Sequence, residues 1–208
     1  MGGQGRVSMV QKEAPSISLP PDCDTYIPAV ARVWLGKYDI TEYEIINNKL
    51  LWSEYWKQLI FPYFDKYMNL CAWQGRSFEA EGINKHGNVR GRSKWFSQGN
   101  LKSLYHILPI KETYDQVVLV EDVVSAIKVA RITPAMPIFG SQIGLERFKT
   151  LSERIKEVVI WLDPNMKKQM VTEARKAELM GLRSRVIFSA NDPKEHSMDA
   201  IKEYLQHA

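Results

Sequence analysis

Three acidic residues follow directly on runs rich in buried-type apolar side chains: Glu121 after "QVVLV", Asp163 after "VVIWL", and Asp192 after "VIFSAN" and just before Pro193. Carboxylates brought together repel one another and take up protons unless a cation balances them. A hard divalent ion that prefers oxygen ligands, Mg2+ or Mn2+, is the expected counter-charge, and acids grouped around such an ion are a means of phosphoryl transfer. Each acid taken singly also reads as a helix N-cap or as a partner for the positive end of a helix. Three such positions in one chain favour a shared site. Asp122, in the first turn of the next helix, reads as a dipole partner rather than a ligand. Asn165 reads equally as a cap or as a neutral oxygen ligand.

The elements that must position these acids are legible in the second half of the chain. The runs "QVVLV", "MPIFG", "VVIWL" and "SRVIFS" alternate with helical patterns over 123–131, 144–155 and 167–180, the last with Gly181 as its stop, and the helix "SMDAIKEYLQ" follows. Strand and helix in alternation predict a parallel sheet covered on both faces. In such a sheet the residues after the strands gather along one edge, where open α/β folds bind ligands.

The first half has another character. Residues 1–21 are rich in Gly, Ser and Pro and read as a tail or linker. After it, Ile27, Val30, Ala31, Val33, Trp34 and Leu35 form a helical stripe that stops at Gly36, and Thr41 with Glu44 forms a capping box for a second short helix. "QLIFPYF" and "LCAWQGRSF" read as a hairpin, with Pro62 at an edge or a bulge. Trp52 and Trp56, at helical spacing beside Tyr55, read as core. This gives a smaller α+β basic subdomain over 22–112 ahead of the parallel-sheet domain over 113–208.

Basic residues cluster in "KHGNVRGRSKWF": Lys85, Arg90, Arg92 and Lys94, followed by Trp95 and Phe96, with Arg76 on the hairpin before it. Cations that neutralise phosphates beside a ring that stacks on a base make a track for single-stranded nucleic acid. The alternative is a solvated Gly-rich loop whose aromatic residues only anchor the next strand. His86 and His106 have no metal-ligand spacing. Cys23 and Cys71, the two cysteines, read as buried thiols and cannot make a four-ligand zinc module between them. A net charge of +4 permits nucleic-acid binding without arguing for it. No window approaches the ~18 consecutive apolar residues of a membrane span, so no membrane contact and a cytoplasmic location are expected.

The acids in "VEDVVSA", "LDPN" and "NDPKE", with the small-residue turn "IFGS", resemble the TOPRIM domain of primases, topoisomerases and some nucleases. In the first half, "VARVWLGKYDITEYEI", "LIFPYFDKYMNLCAWQGRSF" and "SKWFSQGNLKSLYHI" are similar in type and order to the RNA polymerase domain of bacterial-type and phage primases, closest to the primase part of phage primase-helicases. The resemblance implies a TOPRIM-like parallel sheet flanked by helices. It implies a DNA primase core that makes short RNA primers on single-stranded DNA by metal-dependent nucleotidyl transfer. Glu121 would ligate metal or accept a proton; Asp163 and Asp192 would hold Mg2+ or Mn2+, with Asn165 as auxiliary. Arg76, Lys85, Arg90, Arg92, Lys94 and Trp95 would contact template or ribonucleoside triphosphates. Implied partners are a replicative helicase and a zinc-binding module, in cis or in trans, in the host cytoplasm if the chain is phage-encoded. A TOPRIM nuclease and a non-catalytic nucleic-acid-binding protein are the alternatives. Three positions depart from the family pattern: Asp122 stands for the usual Gly, Ser125 for an Asp, and Asn165 for the second acid of Asp-x-Asp.

Overall fold

The structure, a computed structural model, describes residues 17–65, 67–78, 95–109 and 114–207. Two sheets organise them. The first is antiparallel, in the order β1 (Cys23–Asp24), β2 (Leu51–Ser53), β3 (Gln58–Phe64), β4 (Leu70–Ser77) and β5 (Trp95–Gly99). Across it lie α1 (Ala29–Gly36) and α2 (Glu42–Asn47). The second sheet is parallel throughout, in the order β7 (Ala135–Pro137), β6 (Gln116–Val120), β8 (Glu157–Ile160) and β9 (Arg183–Val186). Its connections are α3 (Val123–Val129), α4 (Leu145–Ser152) and α5 (Lys167–Leu179), with α6 (Met198–His207) after the last strand.

Strands β6, β7 and β8 are buried on both faces, which is why they read as unbroken apolar runs, while the edge strand β9 is only partly buried. Val118, Val120, Val159 and Trp161 face a cluster with α3, α1 and α6, while Val117, Leu119, Val158 and Ile160 face a second cluster with Phe148, Leu151 and Met170. This division follows the period of two along a strand. Each such side chain contributes about 1.5–3 kcal/mol on full burial. Helix α3 is covered on all sides, even at Lys128.

The first cluster also contains Ile27, Ala31, Leu35, Trp52, Leu59 and Phe61, so the antiparallel half shares its core with the parallel half. The capping box forms as the sequence predicts: the Thr41 hydroxyl accepts from Glu44 N, and the Glu44 carboxylate accepts from Thr41 N at 2.8 Å. Gly181, with φ 82°, ends α5 as predicted.

Several local expectations are corrected. Val30 and Val33 are exposed, because an eight-residue helix buries one face, here Ala31 and Leu35. Gly36 closes α1 but does not make the turn; Asp39 does, with φ 57°. Trp52 is core, but on β2, and Trp56 lies in the β2–β3 turn, so their spacing of four is not helical. Tyr55 is exposed. Pro62 does meet its expectation: it lies past the last β2 pair at Ile60, at a local edge, and next to a register irregularity at Tyr63/Phe64. Ser18, inside the expected tail, accepts a hydrogen bond on its carbonyl from Trp73 Nε1 at 2.9 Å. Cys23 and Cys71 are free thiols and only partly buried. Among the described residues no helix is long and apolar enough to cross a membrane.

Candidate active site at the edge of the parallel sheet

Glu121 leaves β6 directly, and its carbonyl accepts from Phe139 N at 3.0 Å in the turn after β7. That turn is held in unusual backbone geometry, with Phe139 at φ 57°. The buried Arg147 guanidinium fixes it by donating to the carbonyls of Pro137 at 3.1 Å and Ile138 at 3.3 Å. Burial lowers the Arg147 pKa to about 10. Asp163 follows β8 and opens a short 3-10 turn, Pro164–Met166. Asp192 opens another, Pro193–Glu195. The loop to Asp192 is pinned against β8: Trp161 Nε1 donates to Ser189 Oγ at 2.8 Å, and that hydroxyl donates to the Asn191 carbonyl at 2.6 Å.

The helix-cap reading separates these acids. Asp122 is a cap: its Oδ1 accepts from Val124 N at 2.8 Å and Ser125 N at 3.0 Å. Neither Asp163 nor Asp192 caps its turn through the side chain. Instead Asp163 comes within hydrogen-bonding reach of both Glu121 and Asp192. Burial, then the charges of Asp192 and Glu121, push the Asp163 carboxyl up to about 7. Burial, then Asp122 and Asp192, raise Glu121. Among the described residues the buried Asp163 Oδ1 has no hydrogen-bond donor, since its acidic neighbours are acceptors when ionised.

Lys194, which sequence reasoning passed over, enters this cluster. Its ammonium pairs with Asp122 Oδ2 at 2.6 Å and with Asp192 Oδ2. Burial works against the charge, but these two carboxylates outweigh it and raise the lysine pKa. Ser125, fully buried, donates from Oγ to Asp192 Oδ1 at 2.8 Å. Only the adjacency in "NDPKE" could have signalled Lys194, and a lysine after Pro reads as solvated. Asn165 is exposed and caps nothing, since α5 has no side-chain cap.

A hard divalent ion suits the oxygen donors of Glu121 and Asp163, and the donorless Asp163 Oδ1 is an atom such an ion would satisfy. Asp192 is different, with Ser125 on one oxygen and Lys194 on the other. Among the described residues no three acids, histidines or cysteines close into a coordinating group.

Beside the acids is a cavity of about 100 Å3 lined by Trp34, Tyr38, Arg76, Trp95, Asp122, Val124 and Lys194. Arg76, on β4, lies against the rings of Trp34 at 5.4 Å and Trp95 at 5.7 Å. Trp95 is partly buried and packs on the core, so it anchors β5 as well as lining the cavity. Arg76 and Trp95 are thus brought beside the acids. Lys85, Arg90, Arg92, Lys94 and His86 lie outside the described residues. His106 is half-buried with its ring against that of Tyr63, and loss of solvent lowers its pKa to about 4, leaving it neutral.

No protein-family model matches the chain, and no curated protein matches it. Solved structures do. The Aquifex aeolicus primase fragment with zinc-binding and RNA polymerase domains aligns over 89% of this chain and 49% of its own, at 15% identity and TM-score 0.57. A DnaG primase catalytic domain bound to single-stranded DNA aligns over 86% of this chain and 72% of its own, at 13% identity and TM-score 0.63. The primase fragment of the bacteriophage T7 primase-helicase aligns over 83% and 71%, at 12% identity and TM-score 0.57. The chain spans about half the length of the Aquifex aeolicus fragment. At these identities the likeness is one of fold: the chain has the mixed α/β architecture of primase catalytic cores.

Proposed function

We propose that this chain is the RNA polymerase core of a DNA primase, joining ribonucleotides on a single-stranded DNA template. The observation that carries the reading is the approach of Glu121, Asp163 and Asp192 to one another, from the segments that follow three parallel strands, with Asp163 and Asp192 free of helix-capping duty. The likeness to primase cores supports it through the fold.

Glu121 and Asp163 would hold Mg2+ or Mn2+, with Asn165 as an outer auxiliary; such an ion supplies a lowered hydroxyl pKa and charge balance for a departing pyrophosphate. The residues of the chain do the rest. Where Glu121 does not ligate that ion, it is placed to accept the proton of an attacking hydroxyl. Arg76 gives the adjoining cavity a cation suited to a phosphate group, between the rings of Trp34, Tyr38 and Trp95. Lys85, Arg90, Arg92 and Lys94 supply further phosphate contacts along the template or triphosphate. A helicase and a zinc-binding module are the partners this reading calls for.

The test is primer synthesis on mixed single-stranded templates with four ribonucleotides and Mg2+ or Mn2+. Glu121→Gln and Asp163→Asn should each lower dinucleotide formation by at least about 100-fold; full activity in either variant refutes the assignment. Cleavage of labelled strands in place of extension would identify a nuclease. One observation favours a non-catalytic, nucleic-acid-binding reading: Asp192 is occupied by Lys194 and Ser125. Metal-dependent incorporation of nucleotides excludes that reading.

A further inference from the structure

Resting on the reading of the acid cluster as a metal site, we propose that the Lys194 ammonium is a cation built into that site, standing at Asp192 in place of a second divalent ion, so that the chain binds one ion through Glu121 and Asp163. Lys194 is not a mobile surface lysine. Its side chain is 17% exposed and its Nζ touches both Asp122 Oδ2, at 2.6 Å, and Asp192 Oδ2. The Tyr38 ring lies 5.8 Å from the ammonium. The backbone is held as well: Pro193 begins the 3-10 turn, and the Lys194 carbonyl accepts from the buried Lys128 Nζ at 3.0 Å.

Every neighbouring group agrees with this assignment. Asp122 keeps Oδ1 for the helix cap and presents Oδ2 to Lys194. Asp192 gives Oδ1 to Ser125 and Oδ2 to Lys194, so neither oxygen faces the remaining acids without a partner. Among the described residues the acid oxygen of this cluster that is buried with no donor is Asp163 Oδ1, and Asp163 lies within reach of both Glu121 and Asp192. A tethered ammonium supplies one charge where a divalent ion supplies two, and it repels a further ion placed next to it. The cluster therefore divides into a half neutralised by the chain and a half left for a metal.

Mn2+ titration of the full chain, read by calorimetry and by the electron paramagnetic resonance signal of free Mn2+, tests this without recourse to activity. Wild type should bind one ion per chain, Lys194→Arg should match it, and Lys194→Met should bind a second ion or bind the first at least about tenfold more tightly. Lys194→Met should also melt lower than wild type without metal and recover more on Mn2+ addition. Lys194→Gln, which keeps an N–H for the carboxylates without the charge, takes its place if Lys194→Met does not fold. Equal stoichiometry and affinity in wild type and the neutral variants overturn the proposal, as do two ions in wild type. Binding by a neutral variant but not by wild type upholds the role of Lys194 while refuting a metal-dependent wild-type enzyme; no binding by either refutes both.

Discussion

The acids at the sheet edge were legible because each follows a buried strand, and a polar group at such a place needs a reason. What the sequence could not convey is how the reasons differ. Glu121 and Asp122 are neighbours, yet Asp122 spends one oxygen on backbone N–H groups of α3, while Glu121 faces Asp163 and Asp192. Lys194 was illegible because its partners at 122 and 192 are set by the crossing of α3 and the last loop. Two of the three departures from the primase pattern, Asp122 and Ser125, are the residues that hold Lys194 and Asp192. The crowding has a pH signature. Burial, then Asp192 and Glu121, raise the Asp163 pKa from 3.8 to about 7, so between those values the folded chain keeps a proton that the unfolded chain releases. Stability from this group is therefore lost as pH rises through about 7 and is fully regained only below the unfolded value. In metal-free buffer the wild-type melting temperature should rise, relative to Asp163→Asn, as pH is lowered from roughly 8 to roughly 5.5. Parallel melting curves for the two proteins across that range would contradict it.

At the scale of elements, the sequence was most informative where one physical demand fixed the pattern. The apolar runs of β6, β7 and β8 gave a parallel sheet because both faces of those strands are covered, and the Thr41 and Glu44 pair gave a capping box because that motif is local. It misled where spacing was ambiguous: Trp52 and Trp56 are four apart in a strand and its turn, and Val30 and Val33 extend an apolar stripe that the helix does not bury. The end of β5 shows a constraint that hydrophobic pattern does not carry. Gly99 has φ 86°, and a Cβ there would lie 2.6 Å from the Cys71 carbonyl oxygen and 2.9 Å from Ala72 Cα. Both are parts of the β4 backbone, to which Gly99 is paired through Ala72. Gly99→Ala should accordingly destabilise the chain by about 1–3 kcal/mol through backbone strain alone. Because β5 carries Trp95 against Arg76, it should also weaken binding of single-stranded DNA. Denaturant unfolding checks the first effect and fluorescence titration the second; a stable variant with unchanged binding would mean that β5 does not hold the aromatic wall in place.

For the molecule as a whole, the boundary read from the sequence at 112/113 divides two sheets that meet in one core. Ile27, Ala31, Leu35 and Phe61 on one side of that boundary pack in the same cluster as Val118, Val124, Trp161 and Ile201 on the other. Polar contacts cross the join as well. The Arg131 guanidinium takes the Glu44 carboxylate in a two-pronged contact at 2.6 Å on each arm and donates to the Asp39 carbonyl at 2.7 Å, and Lys128 pairs with Asp39 at 3.0 Å. Glu44 thus serves the cap of α2 and the join to α3 together; burial works against its charge, yet Arg131 and Thr41 hold its pKa below the ordinary value. The join sets the distance between Arg76 and the acids, because Tyr38 from the first half meets Lys194 from the second across the cavity. Separating the halves would expose the apolar faces of α1 and α3 to water, at a cost that short elements cannot recover alone. The full chain should therefore unfold in a single transition, with tryptophan fluorescence and far-ultraviolet circular dichroism giving coincident curves. Fragments 22–112 and 113–208 should each lack dispersed amide proton signals and gain them on mixing. Two resolved transitions, or a folded 113–208 fragment, would show that the parallel-sheet half is an independent domain and that the cavity lies at a joint able to open.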